Sequence, residues 1–404
     1  MSLRVLVASG GYKEGLRAEA VVEAIACGVR RAAPDLTVAE LALADGGEGT
    51  VTTLQRMAGG EIHTRTVTTP DGGAVEARYA ILSDGRAVIE LAEAAGLQQI
   101  DASATDLLQT SSRGVGELIE AALDRGARHI VIGCGDSGIN DGGAGLCRAL
   151  GARLLDANGD EIAEGGIGLC DLTEIDDRSL DPRLAETTIE VACNTENILT
   201  GEHGVARVFG PQKGADDDTV DTLAQAMQRW ADIIERDCGH VVAELPGGGA
   251  SGGCGAGLAG VLGAHLVSRF EYLFPLFQVD DAIQNADLIL TAEGGLDYKS
   301  ANGKIPAELG RRGAAAGKPV IVLAGIVDPT AEVILDEGVH AYFSISERPQ
   351  SIEEAIQETS TALEHISEHL IRTFLAGVVF GRLGAGNTNL GPHTAAAALD
   401  SADG

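Results

Sequence analysis

The sequence predicts an α/β protein built on parallel sheets, and three observations carry that prediction. Short apolar runs alternate along the chain with longer amphipathic helical patterns, as in strand–helix–strand units. The 55 glycines gather where those runs hand over to helices. A hydrophobic content of 45% across 404 residues supplies a sizeable core, and the length is that of two or three domains.

In chain order, residues 3–8 (Leu-Arg-Val-Leu-Val-Ala) read as a strand and 18–32 as an amphipathic helix. Residues 37–43 read as a strand, and 79–82 with 87–90 as a strand pair turning at Ser83-Asp84-Gly85. A helix is expected over 114–125, capped by Ser111 or Ser112. Residues 129–133 form a strand entering a Gly-rich turn, followed by a helix over 142–150. A strand at 188–191, helices at 218–237 and 254–267, strands at 288–290 and 320–323 and a helix over 351–370 complete the alternation. The last residues, about 381–404, are low in complexity and are expected to be disordered.

The net charge of −31 argues against a nucleic-acid binder or an anionic membrane surface. The basic residues divide into 24 Arg and 5 Lys, the bias of a GC-rich genome or of a chain kept soluble in high salt. Seven scattered cysteines make no C-x-x-C pair, so buried reduced thiols are expected rather than a zinc ribbon or disulfide framework. No secretory n- and h-region opens the chain, and the most apolar long window, 247–267, is built on Gly and Ala. A cytoplasmic protein is expected, and a homodimer is among the assemblies the sequence allows.

Several clusters carry chemistry. Gly46-Gly47-x-Gly49, Gly142-Gly143-x-Gly145, Gly247–Gly249, Gly252-Gly253-x-Gly255 and Gly294-Gly295 are either ordinary turns or backbone cradles for a polyanion such as a nucleotide. Acidic residues flank them: Asp45 and Glu48, Asp141 after Asn140, Glu293 and Asp297. Carboxylates at strand ends beside such turns suit Mg²⁺ held jointly with nucleotide phosphates, although Asp141 suits a helix cap equally well. Lys is rare, yet Lys13, Lys213, Lys299 and Lys304 all lie in motif-like loops, where an ammonium reaching a phosphate is a reason to keep it. Gly303-Lys304 is followed by Ile305 and lacks the upstream Gly of a P-loop. Gly249-Ala250-Ser251-Gly252-Gly253 fits the nucleophile-elbow spacing, but a loop rather than a strand precedes it.

The strings Tyr12-Lys13-Glu14, Ala44-Asp45-Gly46-Gly47-Glu48-Gly49-Thr50, Thr110-Ser111-Ser112-Arg113-Gly114, Asn140-Asp141-Gly142-Gly143-Ala144-Gly145, Phe209-Gly210-Pro211-Gln212-Lys213-Gly214-Ala215 and Gly303-Lys304-Ile305-Pro306 resemble the bacterial glycerate kinase family, over about residues 3–375. The resemblance implies two intertwined α/β domains, one flavodoxin-like and inserted in the other, with the active site in the cleft between them. The expected division is 1–80 plus 285–378, an inserted domain over 81–284, and a tail over 379–404. It also implies ATP- and Mg²⁺-dependent phosphorylation of D-glycerate, giving 2-phosphoglycerate or 3-phosphoglycerate.

On that resemblance, Lys13, Asp45, Arg113, Lys213 and Asp297 are the expected catalytic residues. Arg113, Ser300 and Lys304 are expected to bind substrate. Asn140, Asp141, Gly142, Gly143, Gln212, Gly252 and Gly253 are expected to bind nucleotide, and Asp45, Glu293 and Asp297 a metal ion. A Lys213→Ala variant should lose turnover and keep its thermal stability. The chain departs from the family pattern at Ser9-Gly10-Gly11, Gly15, Gly135-Asp136-Ser137-Gly138-Ile139, Asn194 and Gly295. Two alternatives follow from those departures: a paralogue phosphorylating another small hydroxy acid, polyol or cyclitol, or a catalytically impaired binding protein.

Overall fold

The structure, a computed structural model, describes residues 3–12, 15–100, 105–301 and 303–386, with residues 378–386 as backbone only. Lys13, Glu14 and the expected tail beyond 386 lie outside the described residues. The chain opens with β1 (Arg4–Ser9), α1 (Ala18–Ala32) and β2 (Thr37–Ala42), close to expectation. Then come α2 (Thr50–Ala58), β3 (Gly60–Thr68), β4 (Ala74–Leu82), β5 (Ala87–Glu90), α3 (Leu91–Ala95), α4 (Arg113–Asp124) and β6 (His129–Gly133). The middle of the chain forms α5 (Ala144–Ala149), the strands β7 (Arg153–Leu155) and β8 (Glu174–Asp176), β9 (Thr188–Cys193), α6 (Val205–Phe209) and α7 (Asp217–Cys238). It continues through α8 (Ala250–Gly260), β10 (His265–Ser268), α9 (Arg269–Leu276), α10 (Val279–Gln284) and β11 (Leu288–Leu296). The last elements are α11 (Ile305–Ala315), β12 (Val320–Val327), β13 (Ala341–Ser344) and α12 (Ile352–Gly386).

Two compact units result. Unit 1 comprises Met1–Leu41, Ala282–Asn302 and Leu309–Gly404; unit 2 comprises Ala42–Asp281 and Gly303–Glu308. The expected boundary at residue 80 differs, because β3 and β4 pair into unit 2's sheet.

Unit 1 is a five-stranded sheet in the order β13-β12-β11-β1-β2. Ranked along the chain, that is the 2-1-3-4-5 order of flavodoxin-like sheets. The flavodoxin-like topology therefore belongs to the discontinuous unit and not to the inserted segment, against the expectation. The pairs β1–β11, β11–β12 and β12–β13 are parallel. Val21, Ile25 and Val29 of α1 join Val5, Val7, Leu288 and Leu290 of the sheet and Leu363 and Ile371 of α12 in one core. Gly28 lets α1 and α12 touch, since a Cβ there would sit 2.1 Å from the carbonyl oxygen of Glu364.

Unit 2 is a six-stranded sheet in the order β10-β9-β6-β5-β4-β3. β3–β4 and β4–β5 are antiparallel; β5, β6, β9 and β10 run parallel. Their registers align the carboxyl ends, with Glu90 opposite Gly133, Gly133 opposite Ala192 and Cys193 opposite Ser268. Four strands thus finish on one line, where ligand-binding loops of parallel sheets gather.

Four expected elements change. The helix read over 142–150 begins only at Ala144, because Gly142 and Gly143 take φ of +67° and +82°. The helix read over 254–267 ends at Gly260; Gly263 turns at φ +70° and His265–Ser268 becomes a strand held by β9. Gly294-Gly295 is not a turn but part of β11, where Gly295 pairs with Ile326 of β12. The C-terminal helix runs to Gly386, so residues 379–386 of the expected tail are helical backbone. All seven cysteines are free thiols, but the expectation that they are buried holds only for Cys134, Cys147, Cys193 and Cys254; Cys170 is exposed and Cys27 and Cys238 are half-buried.

Candidate active site

The carboxyl edge of unit 2 is built around the Asp45–Gly49 loop. Gly46, at φ +93°, lies against the sheet, and a Cβ there would be 3.0 Å from the carbonyl of Ala192 and 3.2 Å from the Cys134 nitrogen. The N–H of Glu48 donates to Asp136 Oδ2 (3.3 Å) and that of Val51 to Glu90 Oε2 (3.3 Å). Asp136 holds a left-handed φ of +50°, a strained conformation that a non-glycine residue keeps only where its surroundings enforce it. Buried Glu90 is pushed up to about 8 by desolvation, aided by Glu93 and opposed by the Val51 and Gly49 N–H groups.

Asp45 itself is paired. Its Oδ2 lies 2.9 Å from Nη1 of Arg269, which also donates to the Asp45 carbonyl (3.3 Å). The other guanidinium nitrogen donates to the carbonyl of Gly303, beside Lys304. Gly303 is required here: its φ is +70°, and a Cβ would sit 2.9 Å from Asn194 Nδ2. Asp45, Asn194, Arg269, Gly303 and Lys304 thus belong to one edge. Arg269 escaped the sequence reading because the strand it follows, β10, reads as helix.

The Asn140–Gly145 turn behaves differently from expectation. Asp141 is buried, and its carboxylate accepts from the Ser112 N–H (2.7 Å) and hydroxyl (2.8 Å) and from the N–H groups of Gly143 (3.0 Å) and Gly145 (3.1 Å). The Gly142 N–H goes to the Gly252 carbonyl at 2.9 Å. The anion that fills this backbone cradle is therefore the protein's own carboxylate, and Asp141, Gly142 and Gly143 tie α4 to α5 rather than present donors to a phosphate. Burial raises the Asp141 carboxyl, and its four donors oppose the rise. Gly252 and Gly253 are packing positions as well; a Cβ on Gly252 would meet the Ile139 carbonyl at 2.1 Å. Asn140 stands apart: it is fully buried, and neither amide atom has a hydrogen-bond partner among the described residues. An orphaned buried amide marks a place for a water or a ligand group.

Lys213 is buried, with Nζ 2.6 Å from the Ile139 carbonyl and 3.2 Å from Ser137 Oγ. Desolvation lowers it to about 8. It braces the 137–139 loop instead of reaching outward, while Gln212 beside it is exposed. Arg113 is also engaged: Nη2 lies 2.9 Å from Glu164 Oε1, and Glu164 in turn receives Ser111 Oγ (2.9 Å) and Arg148 Nη1 (3.1 Å). One nitrogen of the fork expected for a substrate carboxylate thus contacts a protein carboxylate, while the Arg113 side chain is 35% exposed. Ser251 does adopt φ +51°, at a non-helical kink ahead of the regular turns of α8, but turns rather than a strand lead into it over 246–249, so the elbow reading fails on its strand requirement.

In unit 1 the strand order reverses between β1 and β11, which places the crevice outside the ends of those two strands. Ser9 Oγ bridges them, donating to the Ala292 carbonyl (3.1 Å) and accepting from the Ala292 N–H (3.2 Å). Glu293 follows, and its charge adds to burial in raising the Tyr12 hydroxyl, which donates to the Leu323 carbonyl at 3.1 Å. Asp297 Oδ1 accepts from the Lys299 N–H (2.9 Å) and Ser300 Oγ (3.2 Å), so buried Ser300 shapes this turn. Among the described residues no group of three or more His, Cys, Asp or Glu is arranged to hold a metal ion.

Residues 5–375 match the family model described as the glycerate kinase family. The chain is similar to the glycerate 2-kinase of Escherichia coli K12, at 39% identity over 93% of this chain and 99% of that protein. It is similar also to a glycerate kinase of Halalkalibacterium halodurans, at 38% identity over 91% of this chain and 97% of the relative. A crystal structure from Salmonella typhimurium LT2, assigned as a glycerate kinase 2, superposes with a TM-score of 0.78 at 41% identity, covering 93% of this chain and 99% of that one.

Proposed function

The chain belongs to the glycerate kinase family and is a phosphotransferase with an alcohol acceptor; on that premise we propose that it transfers the γ-phosphoryl group of ATP to the 2-hydroxyl of D-glycerate. The acceptor oxygen forms the new P–O bond, the bond to the β-phosphate oxygen breaks, and ADP and 2-phosphoglycerate leave. The family match across nearly the whole chain carries this reading. The orphaned Asn140 amide supports it, as a buried group suited to a ligand's polar atoms. A protein of this class works in the cytoplasm, where ATP is available.

In this reading Asp45, aimed by Arg269, orients the acceptor hydroxyl and receives its proton. Lys304 and Lys13 neutralise phosphate and carboxylate charge. Lys213 acts indirectly, by fixing the 137–139 loop next to Asn140. Mg²⁺ keeps most of its waters and needs only one or two carboxylates besides the nucleotide phosphates, so the hard oxygens of Glu293 and Asp297 fit it without a preformed cage. Bound there with the triphosphate, it would neutralise charge developing on the transferred group.

A panel of D-glycerate, other hydroxy acids, polyols and cyclitols, each with ATP and Mg²⁺, tests the acceptor, and phosphorus NMR of the product tests the hydroxyl. D-glycerate should give the highest kcat/KM and a 2-phosphate. A polyol or cyclitol preferred over glycerate would reject the reading, as would a 3-phosphate for its regiochemistry.

A further inference from the structure

We propose that Arg269 is a positioning residue for the phosphoryl transfer, holding the Asp45 carboxylate and the main chain beside Lys304 with a single guanidinium. The proposal rests on the roles given above to Asp45 and Lys304.

Arg269 is the first residue after the carboxyl end of β10, on the line where the parallel strands of unit 2 finish. Its side chain is 14% exposed. One end of the fork meets Asp45 twice, at Oδ2 and at the carbonyl, and the other meets the Gly303 carbonyl. The guanidinium carbon also stands 5.1 Å from the ring centre of Phe270, which restrains its plane.

The Asp45–Gly49 loop does not depend on this contact to stay folded. Gly46 already seats on the sheet, Glu48 donates to Asp136 and Val51 to Glu90. What Arg269 adds is the direction of one side chain, Asp45, and the placement of one carbonyl, that of Gly303. The buried Arg269 Nε has no hydrogen-bond partner among the described residues. Desolvating an arginine and leaving one donor unpaired opposes folding. A purely structural brace would be served better by an apolar residue. The geometry instead suits function: a planar fork can hold two acceptors in fixed relation, which a lysine's point charge cannot.

The test is steady-state kinetics of the full chain with D-glycerate and ATP for wild type, Arg269→Ala and Arg269→Lys, with thermal midpoints alongside. Wild type without turnover would overturn the assignment of the reaction, and this proposal with it. With wild type active, Arg269→Ala should lose about a hundredfold in kcat, the scale of a displacement near 1 Å. KM for glycerate should stay within about threefold. Added guanidinium should restore part of the Arg269→Ala rate and none should be gained by wild type. Arg269→Lys, which keeps the charge and guards against an Ala variant that does not fold, should remain well below wild-type kcat with an unchanged midpoint. Wild-type kcat in either variant would overturn the proposal. So would a rate loss that follows the loss of folded protein and is not rescued by guanidinium.

Discussion

Nζ of Lys213 donates to the carbonyl oxygen of Ile139 across 2.6 Å, in surroundings that leave the residue 6% exposed. That one contact changes what a rare lysine means in this chain. Removing it strands a buried carbonyl, a cost of about 1–3 kcal/mol, and leaves a cavity as well. At pH 10.5 and above, where the desolvated ammonium no longer weighs against the fold, Lys213→Ala should therefore lower the unfolding free energy by about 2 kcal/mol or more, and at neutral pH it should slow turnover. Denaturant unfolding measures the first effect, and an unchanged midpoint would show that the brace is idle.

Lys213 also sets a pH dependence. Its folded value of about 8 lies below the ordinary 10.5, so between those values the unfolded chain binds more protons. Wild-type stability should gain up to about 3 kcal/mol from this group as pH rises from 8 to 10.5, with the penalty constant below 8. Lys213→Met should lack that gain. The difference between the two proteins' unfolding free energies at pH 7.5 and 10.5 checks it.

Glu90 has the opposite sign. Its folded value is raised to about 8 from 4.5, so the folded chain binds the extra proton in that window. Its contribution is present below pH 4.5 and fades as pH climbs through 8. Glu90→Gln keeps the shape and an acceptor for the Val51 N–H but cannot ionise. The variant should match wild type near pH 4.5 and become more stable by up to about 5 kcal/mol at pH 8 and above. Parallel stability curves for the two would contradict the burial argument.

Asp141→Asn replaces an oxygen that accepts hydrogen bonds with an amide that donates them, facing N–H groups already in place. We expect a loss of about 2–4 kcal/mol, read by calorimetry. Retained stability would return Asp141 to the candidates for direct ligand contact.

Gly28→Ala tests unit 1. A Cβ 2.1 Å from the Glu364 carbonyl must push α12 off α1, at about 1–3 kcal/mol. The same substitution at exposed Gly72, where nothing lies within 4 Å but φ is +86°, would cost through backbone strain alone.

How much of this was written in the residues varies with the range of the interaction. Local patterns served well: the helix at Ala18–Ala32 and the strands at His129–Gly133 and Ala87–Glu90 stand where periodicity put them. β10 was lost because His265-Leu-Val-Ser adjoins a Gly/Ala-rich helix, and only pairing with β9 makes it a strand. Gly294-Gly295 reads as a turn, yet β12 holds it extended. Asp45 and Lys213 were visible as motif residues, but their partners were not. Asp45 meets Arg269 across 224 positions and Lys213 meets Ile139 across 74. A sequence shows that a carboxylate or ammonium is present; the fold decides whether it is offered to a ligand or spent on the chain. Asp141, buried with four donors on its carboxylate, is spent in this way.

The most direct test of the whole account is ADP release by the full chain with ATP, Mg²⁺ and D-glycerate, coupled to a second enzyme and compared with the same mixture lacking glycerate. One ADP should appear per glycerate consumed, at a rate that vanishes when the divalent ion is chelated and returns when it is restored. ADP release no faster with glycerate than without it, from folded protein, would contradict it.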